Sequence, residues 1–202
     1  MNKTDTLIRT KLRLPFTRLE RVPRPALQKR IVLGLRGPLT LIVAPAGFGK
    51  TTLAASSVAC CEWPVAWLSL DQNDNQAGRF LNYLVGALQG VDGGIGVEAA
   101  QWMAGMRQAP AEMVLTSLVN DLDALAGDMI LALDDYQFIR SQAVHAQVTF
   151  LLEHGPPSLH LLIATPSDPP LPPARPPPPC STRWAAAARP CSSSGGSPTT
   201  RG

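Results

Sequence analysis

The run Leu39-Thr40-Leu41-Ile42-Val43 leads without a break into Ala44-Pro45-Ala46-Gly47-Phe48-Gly49-Lys50-Thr51-Thr52. An apolar strand, a glycine-containing loop and a Gly-Lys-Thr that opens a helix are the ingredients of a phosphate-binding P-loop. Glycines let the backbone curl so that successive N–H groups converge on phosphate oxygens. A helix starting at Lys50 adds its unpaired amides and its dipole. Ala46, Gly47, Phe48, Gly49, Lys50, Thr51 and Thr52 are therefore the expected nucleotide contacts. Lys50 supplies a point charge for the β- and γ-phosphates, and the Thr51 hydroxyl is a ligand for Mg²⁺. The pattern G-x-x-x-x-G-K-[ST] usually begins with glycine, and that position is Ala44 here. The competing reading is a Gly-Lys-Thr turn that binds nothing.

A second segment weighs against that competitor. Met129-Ile130-Leu131-Ala132-Leu133-Asp134-Asp135 is an apolar strand ending in two carboxylates. In a P-loop protein one such Asp holds the Mg²⁺ shell and a neighbouring acid orients or deprotonates the attacking water. Asp134 is assigned to Mg²⁺ and Asp135 to the water, as the catalytic residue. Taken alone, the same residues read as a strand running into a polar turn.

Between and around these motifs, strands and helices alternate. Gln28 to Leu35 reads as a short helix, Leu39 to Ala44 as a buried strand, and Lys50 to about Cys61 as a helix. Pro64 to Leu70 is a second strand, stopped by Asp71-Gln72-Asn73-Asp74-Asn75. Arg79 to Gln89 places Phe80, Leu84 and Leu88 on one helical face, and a glycine-rich loop spans Gly90 to Gly96. Ala111 to Leu125 repeats Val114, Leu115, Leu118, Leu122 and Leu125 at three- and four-residue steps. Met129 to Leu133 is a third strand, Ser141 to His154 a helix and Leu159 to Ala164 a fourth strand. The alternation predicts an α/β fold with a parallel sheet covered on both sides, a P-loop NTPase three-layer sandwich. Sites in such sheets lie at the carboxyl ends of strands. The P-loop, Asp71, Asp134 and Thr165 all fall there.

Composition narrows the setting. The chain has 202 residues, 45% hydrophobic and 5% aromatic, enough for one sizeable core. A net charge of +3 is too small to argue for nucleic acid. Ten Lys and Arg fall in the first 36 residues against Asp5 and Glu20, which reads as a solvated basic arm bordering an anionic ligand site. Contact of this arm with nucleic acid or a membrane surface is the alternative. Residues 1 to 13 lack the apolar core of a signal peptide, and no run is long enough for a membrane span. The four cysteines, Cys60, Cys61, Cys180 and Cys191, form no C-x-x-C pair, and His145, His154 and His160 are not spaced as a metal site. A reduced, cytoplasmic location is expected.

With these residues placed, the sequence resembles the N-terminal ATPase module of the large ATP-binding LuxR-type transcription regulators, members of the signal-transduction ATPases with numerous domains. The resemblance covers about residues 9–175. It rests on Lys11-Leu12 with Pro15, Val22-Pro23-Arg24-Pro25, the segment 39–52, and Val65-Ala66-Trp67-Leu68-Ser69-Leu70-Asp71 with Asp74-Asn75. Further along it rests on Leu133-Asp134-Asp135-Tyr136, Phe150-Leu151-Leu152-Glu153-His154 and the segment 159–172. It implies an ATP/ADP switch whose two forms differ in self-association and whose hydrolysis is slow. Arg24 lies in the family's segment near the nucleotide and is carried over as a contact. The family also places a γ-phosphate-sensing arginine after the threonine that ends the fourth strand. Pro166 stands there, and proline carries neither charge nor donor. An inducer-binding superhelical domain and a helix-turn-helix for DNA complete the family, and no segment of this chain is expected to be either.

The expected organisation is a basic lead-in over 1–37, a P-loop NTPase domain over 38–165 and a disordered low-complexity tail over 166–202. Eleven of the twenty prolines lie in the tail, and Leu171 is its only Leu, Ile, Val or Met. It reads as a proline-rich linker or as GC-rich DNA translated out of frame. On the second reading the sheet is incomplete at its C-terminal end, where a fifth strand is expected. Two other functions stay open: a P-loop phosphotransferase acting on a small molecule, and a degenerate scaffold without catalysis.

Overall fold

Four of the apolar runs become the four strands of one sheet. In the computed structural model, which describes residues 7–15, 24–106 and 109–172, they are β1 (Leu39–Val43), β2 (Val65–Ser69), β3 (Met129–Asp134) and β4 (Leu159–Thr165). All three pairings are parallel and the order is β1-β4-β3-β2. β3 and β4 are buried at every position. That is why they read as unbroken apolar runs rather than alternating ones.

Six helices cover the sheet: α1 (Pro25–Gly34), α2 (Lys50–Val58), α3 (Ala77–Gln89), α4 (Val97–Gly105), α5 (Ala111–Asp123) and α6 (Gln142–His154). The chain leaves β1 through α2, reaches β2 at the far side of the sheet, and then steps back through β3 to β4. Parallel crossovers keep one hand, so reversing direction moves the later helices to the opposite face. One face packs α1 and α2 through Ile31, Leu35, Ala54, Ala55 and Val58 onto Ile42, Trp67, Ile130, Ala132 and Leu162. The other carries the larger core, with Phe80, Leu84 and Leu88 of α3 and Leu118 and Leu122 of α5 against Leu68, Leu131, Leu133, Leu161 and Ile163. Each fully buried side chain of this kind contributes about 1.5–3 kcal/mol. The result is the three-layer α/β arrangement expected of the sequence.

Element boundaries differ from expectation in instructive ways. α1 begins at Pro25, three residues early, because proline suits the first helical position, where no N–H bond is lost. α4 occupies a stretch to which no element was assigned. It starts at Gly96, whose φ of 68° is left-handed, and a Cβ there would stand 2.9 Å from Leu118 Cδ2. No strand forms over the described residues 166–172, although Leu171 packs against the larger core. The tail beyond residue 172 and Val22-Pro23 lie outside the described residues.

The two flanks of the sheet are unlike. Outside β2, the short 3₁₀ turn Arg9–Leu12 packs against β2 and α3. Lys11 Nζ is 3.1 Å from Asp71 Oδ2 and closer still to Asp74 Oδ2, and it sits 4.3 Å from the Tyr83 ring centre. Asp74 is fully buried, with Arg79 Nε 3.4 Å from its other oxygen. The Tyr83 hydroxyl accepts from the Ile8 N–H at 3.2 Å. Lys11 was expected in a solvated arm; instead it is buried in an ion-paired clip, far in sequence from its acids. Outside β1 the pattern is different. Thr40 and Ile42 are buried, whereas Leu41 and Val43 are 40% and 43% exposed.

Candidate functional site

The carboxyl ends of β1, β4 and β3 converge on one rim. From β1 the chain turns through Pro45–Gly49, where the Phe48 N–H reaches the Pro45 carbonyl at 3.4 Å. Gly47 and Gly49 have φ of 82° and 78°, the left-handed region that L side chains rarely adopt. Nothing stands within 4 Å of where a Gly47 Cβ would be, so its requirement for glycine comes from the backbone conformation and not from crowding. Ala44, which replaces the usual first glycine, has no positive φ; its N–H simply continues the ladder to the Thr165 carbonyl at 3.3 Å. Alanine therefore costs nothing there. Gly49 caps α2, and the Leu53 N–H closes the first helical turn on the Gly49 carbonyl at 2.9 Å.

Side chains gather around this loop. Lys50 Nζ folds back to donate to the Pro45 carbonyl at 3.2 Å. Arg24, at the start of α1, donates through a guanidinium nitrogen to the Phe48 carbonyl at 3.2 Å. Ala46, Phe48 and Thr52 are exposed on the same rim. The Thr51 hydroxyl donates to Asp134 Oδ1 at 3.0 Å, across 83 residues of sequence and over the end of the intervening β4. The glycine loop's helix and the acidic strand are thus joined by a direct hydrogen bond.

Asp134 is 3% exposed. Burial is the largest influence on its carboxyl and the Asp135 charge adds to it; the Thr51 hydroxyl and Lys50 pull the other way. The net effect pushes its pKa up to about 6. A hydroxyl and a carboxylate are hard oxygen donors of the type Mg²⁺ takes. Among the described residues, no group of three or more His, Cys, Asp or Glu gathers as an all-protein metal cage.

Asp135 has φ 58°, the one non-glycine residue with positive φ among those described. Aspartate tolerates this conformation better than most residues. Gln137 Nε2 donates to Asp135 Oδ1 at 2.9 Å. All residues singled out from the sequence therefore lie on this rim except Asp71, which is drawn into the Lys11 clip at β2.

Two supports of the site went unread. Asn75 uses its whole amide to tie the loop after β2 to the loop after β3. Its Nδ2 donates to Gln72 and Phe138 carbonyls at 2.9 and 2.7 Å, and its Oδ1 accepts from the Arg140 and Ser141 N–H groups at 2.6 and 2.9 Å. Next to Asp135 in sequence, the buried Tyr136 hydroxyl shares a hydrogen bond with His145 Nδ1 at 2.9 Å. Burial raises the tyrosine pKa and lowers that of the histidine, so the pair stays neutral. The Asp-Asn step at the end of the polar cluster was the one available signal for the first. Nothing in the sequence marks the second.

No protein-family model matches the chain. It is similar to proteins named HTH-type transcriptional regulator MalT. The relative from Yersinia enterocolitica is 35% identical over 169 residues, and that from Serratia proteamaculans 34% over 165 residues. A third, from Yersinia pestis, is 34% identical over 165 residues. Each match covers 82% of this chain and 18% of the relative. The chain thus spans about a fifth of the length of the proteins it matches.

Proposed function

We propose that this chain, a homologue of the MalT transcriptional regulators over most of its length, is a nucleotide-binding switch module that takes ATP or ADP with Mg²⁺. The observation that carries the reading is the Thr51–Asp134 hydrogen bond, because it gathers the two oxygen donors such a metal needs beside the glycine loop. The backbone N–H groups from Ala46 to Thr52 would cradle the phosphates, with the α2 N-terminus behind them. Lys50 would leave the Pro45 carbonyl for the β- and γ-phosphates. Thr51 and Asp134 would hold Mg²⁺, which would supply positive charge to neutralise the phosphates. Asp135, fixed by Gln137, would orient or deprotonate a water. Arg24, already anchored to the loop carbonyl, would lie over the nucleotide.

Turnover is proposed to be slow at most. The position after Thr165 is Pro166, which offers no cation to a third phosphate. The domain division also belongs to this proposal: residues 38–165 form the nucleotide module, residues 1–37 its lead-in and residues 166–202 a tail outside it. A cytoplasmic setting fits, and no helix among the described residues is long and apolar enough to cross a membrane. Inducer binding, self-association on ATP and binding of DNA would belong to a full-length regulator.

Calorimetric titration of ATP and ADP, with and without Mg²⁺, tests the reading. The expected result is binding of both nucleotides, at least tenfold weaker in Lys50→Ala, with little phosphate release. Equal affinities for the parent and Lys50→Ala would remove the P-loop assignment. Rapid turnover that requires a small-molecule acceptor would favour a phosphotransferase.

A further inference from the structure

We infer that the hairpin of α4 and α5 holds a second ligand site, which takes a linear aliphatic diamine or polyamine in its protonated form. A cavity of about 420 Å³ lies between the two helices. Small-ligand sites span about 300–1,000 Å³. The helices run antiparallel: the Gly96 N–H, just before α4, donates to Asp121 Oδ2 near the end of α5 at 2.7 Å. Glu98 stands in the first turn of α4 and Glu112 in the first turn of α5. Their carboxylates therefore belong to opposite ends of the cavity, with Trp102 and Met113 lining the stretch between. Asn120, at the Glu98 end, is about 12 Å along α5 from Glu112 at the rise of a helix.

Acids in a first helical turn are also what the helix dipole favours, so they make no site by themselves. Ser117 is the independent sign. It is 6% exposed, and it lines the cavity with a hydroxyl that makes no hydrogen bond among the described residues. Ser57, the comparable buried serine of α2, bonds back to the Leu53 carbonyl one turn earlier at 2.7 Å. Ser117 does not turn to its own helix in this way. A buried hydroxyl without a partner costs free energy that an occupant of the cavity can recover.

The lining chemistry selects the occupant. Among the described residues no Lys, Arg or His lines the cavity, and neither Glu98 nor Glu112 has an ion-pair partner. An anion would meet two carboxylates, and an uncharged ligand would leave both unpaired. Ammonium groups offer donors and no acceptor, which suits the carboxylates, the Ser117 hydroxyl and the Asn120 amide oxygen. The face of an indole attracts a cation, and Trp102 with Met113 offers apolar surface to a methylene chain. Carboxylates set apart along a groove call for two ammonium groups on one chain; a metal ion is too small to reach both. No lining residue belongs to the glycine loop or the acidic strand, so this site does not depend on the nucleotide reading.

Calorimetric titration of the full chain with spermidine and with butylammonium tests the site. It is run without nucleotide at about 0.15 M salt, where attraction to exposed charge is largely screened. Saturable one-to-one binding of spermidine is expected, at least tenfold tighter than that of butylammonium. Glu98→Gln and Glu112→Gln should each weaken it about tenfold and Ser117→Ala about threefold. Both acids are exposed, so the glutamine variants should melt with the parent. Lys50→Ala should bind spermidine as the parent does. No saturable binding, equal affinity for the two amines, or glutamine variants that bind like the parent would overturn the site. Loss of binding in Lys50→Ala would place the amine at the glycine loop instead. Arg107 follows α4 in sequence, outside the described residues. Binding seen only in Arg107→Ala would make the chain's own guanidinium the occupant, and the proposal would fall.

Discussion

The two flanks of the sheet solve the same problem in opposite ways. At β2 the chain spends a buried lysine, a buried aspartate and an aromatic ring to fasten a cover over the outer strand. At β1, among the described residues, no strand or turn pairs with the outer side, and Leu41 and Val43 stay partly exposed two residues away from the loop that carries the candidate chemistry. The difference shows where this fold is stabilised and where it is kept accessible. Burying a charge pair is costly and is tolerated only where both partners are satisfied. Site-bearing segments are drawn from the less constrained part of a structure.

The contrast can be broken most sharply at Lys11. Lys11→Ala leaves Asp74 with no exposure and one cation fewer, which should cost about 3 kcal/mol by urea denaturation, the low end for a severed buried pair because Arg79 stays near. A change below about 1 kcal/mol would mean that the clip is ornamental.

The next effect has the opposite sign and lies at the site. Asp134 binds a proton more tightly when folded, at about 6 against 3.8. Its contribution is therefore most favourable at low pH and is lost as pH rises through 4 to 6. By pH 7 the carboxylate costs the metal-free chain roughly 2–3 kcal/mol. Asp134→Asn should raise stability at pH 7 by about 2 kcal/mol, flatten the slope between pH 4 and 7, and abolish any Mg²⁺-dependent gain in nucleotide affinity. A variant less stable than the parent at pH 7 would show that the carboxylate is well compensated.

Asn75→Ala orphans two N–H groups and loosens the loop that precedes α6. A loss of about 1–2 kcal/mol is expected, with faster hydrogen exchange at Arg140 and Ser141. Unchanged exchange would mean that the loops hold without the amide. The smallest effect closes the comparison. Leu41→Lys should alter stability by less than about 0.5 kcal/mol, because the side chain already meets solvent. Removing a lysine at one flank and adding one at the other would then differ severalfold.

Much of this was legible in the sequence because it is local. Apolar runs bounded by polar turns gave four strands, and the glycine spacing placed two left-handed residues in one loop. Thr51 and Asp134 were each read as metal ligands, and their direct hydrogen bond is what the structure adds. What escaped depends on partners distant in sequence. Lys11 reads as one basic residue among ten, and its acids lie about 60 positions away. Asp74 sits in a polar cluster that looks solvated, yet it is fully buried once Arg79 and Lys11 close over it. α4 carries Val97, Ala99, Ala100 and Met103 without a strong stripe, and its start depends on a glycine that reads equally well as loop. Sheet order is likewise invisible locally: nothing in β1 announces that its neighbour is β4.

That neighbour relation has a consequence in time. Leu39 finds its strand partner at Leu161, roughly 120 residues later, and contacts so distant in sequence form late. As the chain leaves a ribosome, the glycine loop is made early but has no strand beside it until β4 emerges. The strand that flanks the loop is then the last of the four described strands to arrive, and a chain interrupted before Leu159 would carry every residue of the loop without the ladder that β1 and Ala44 make with β4.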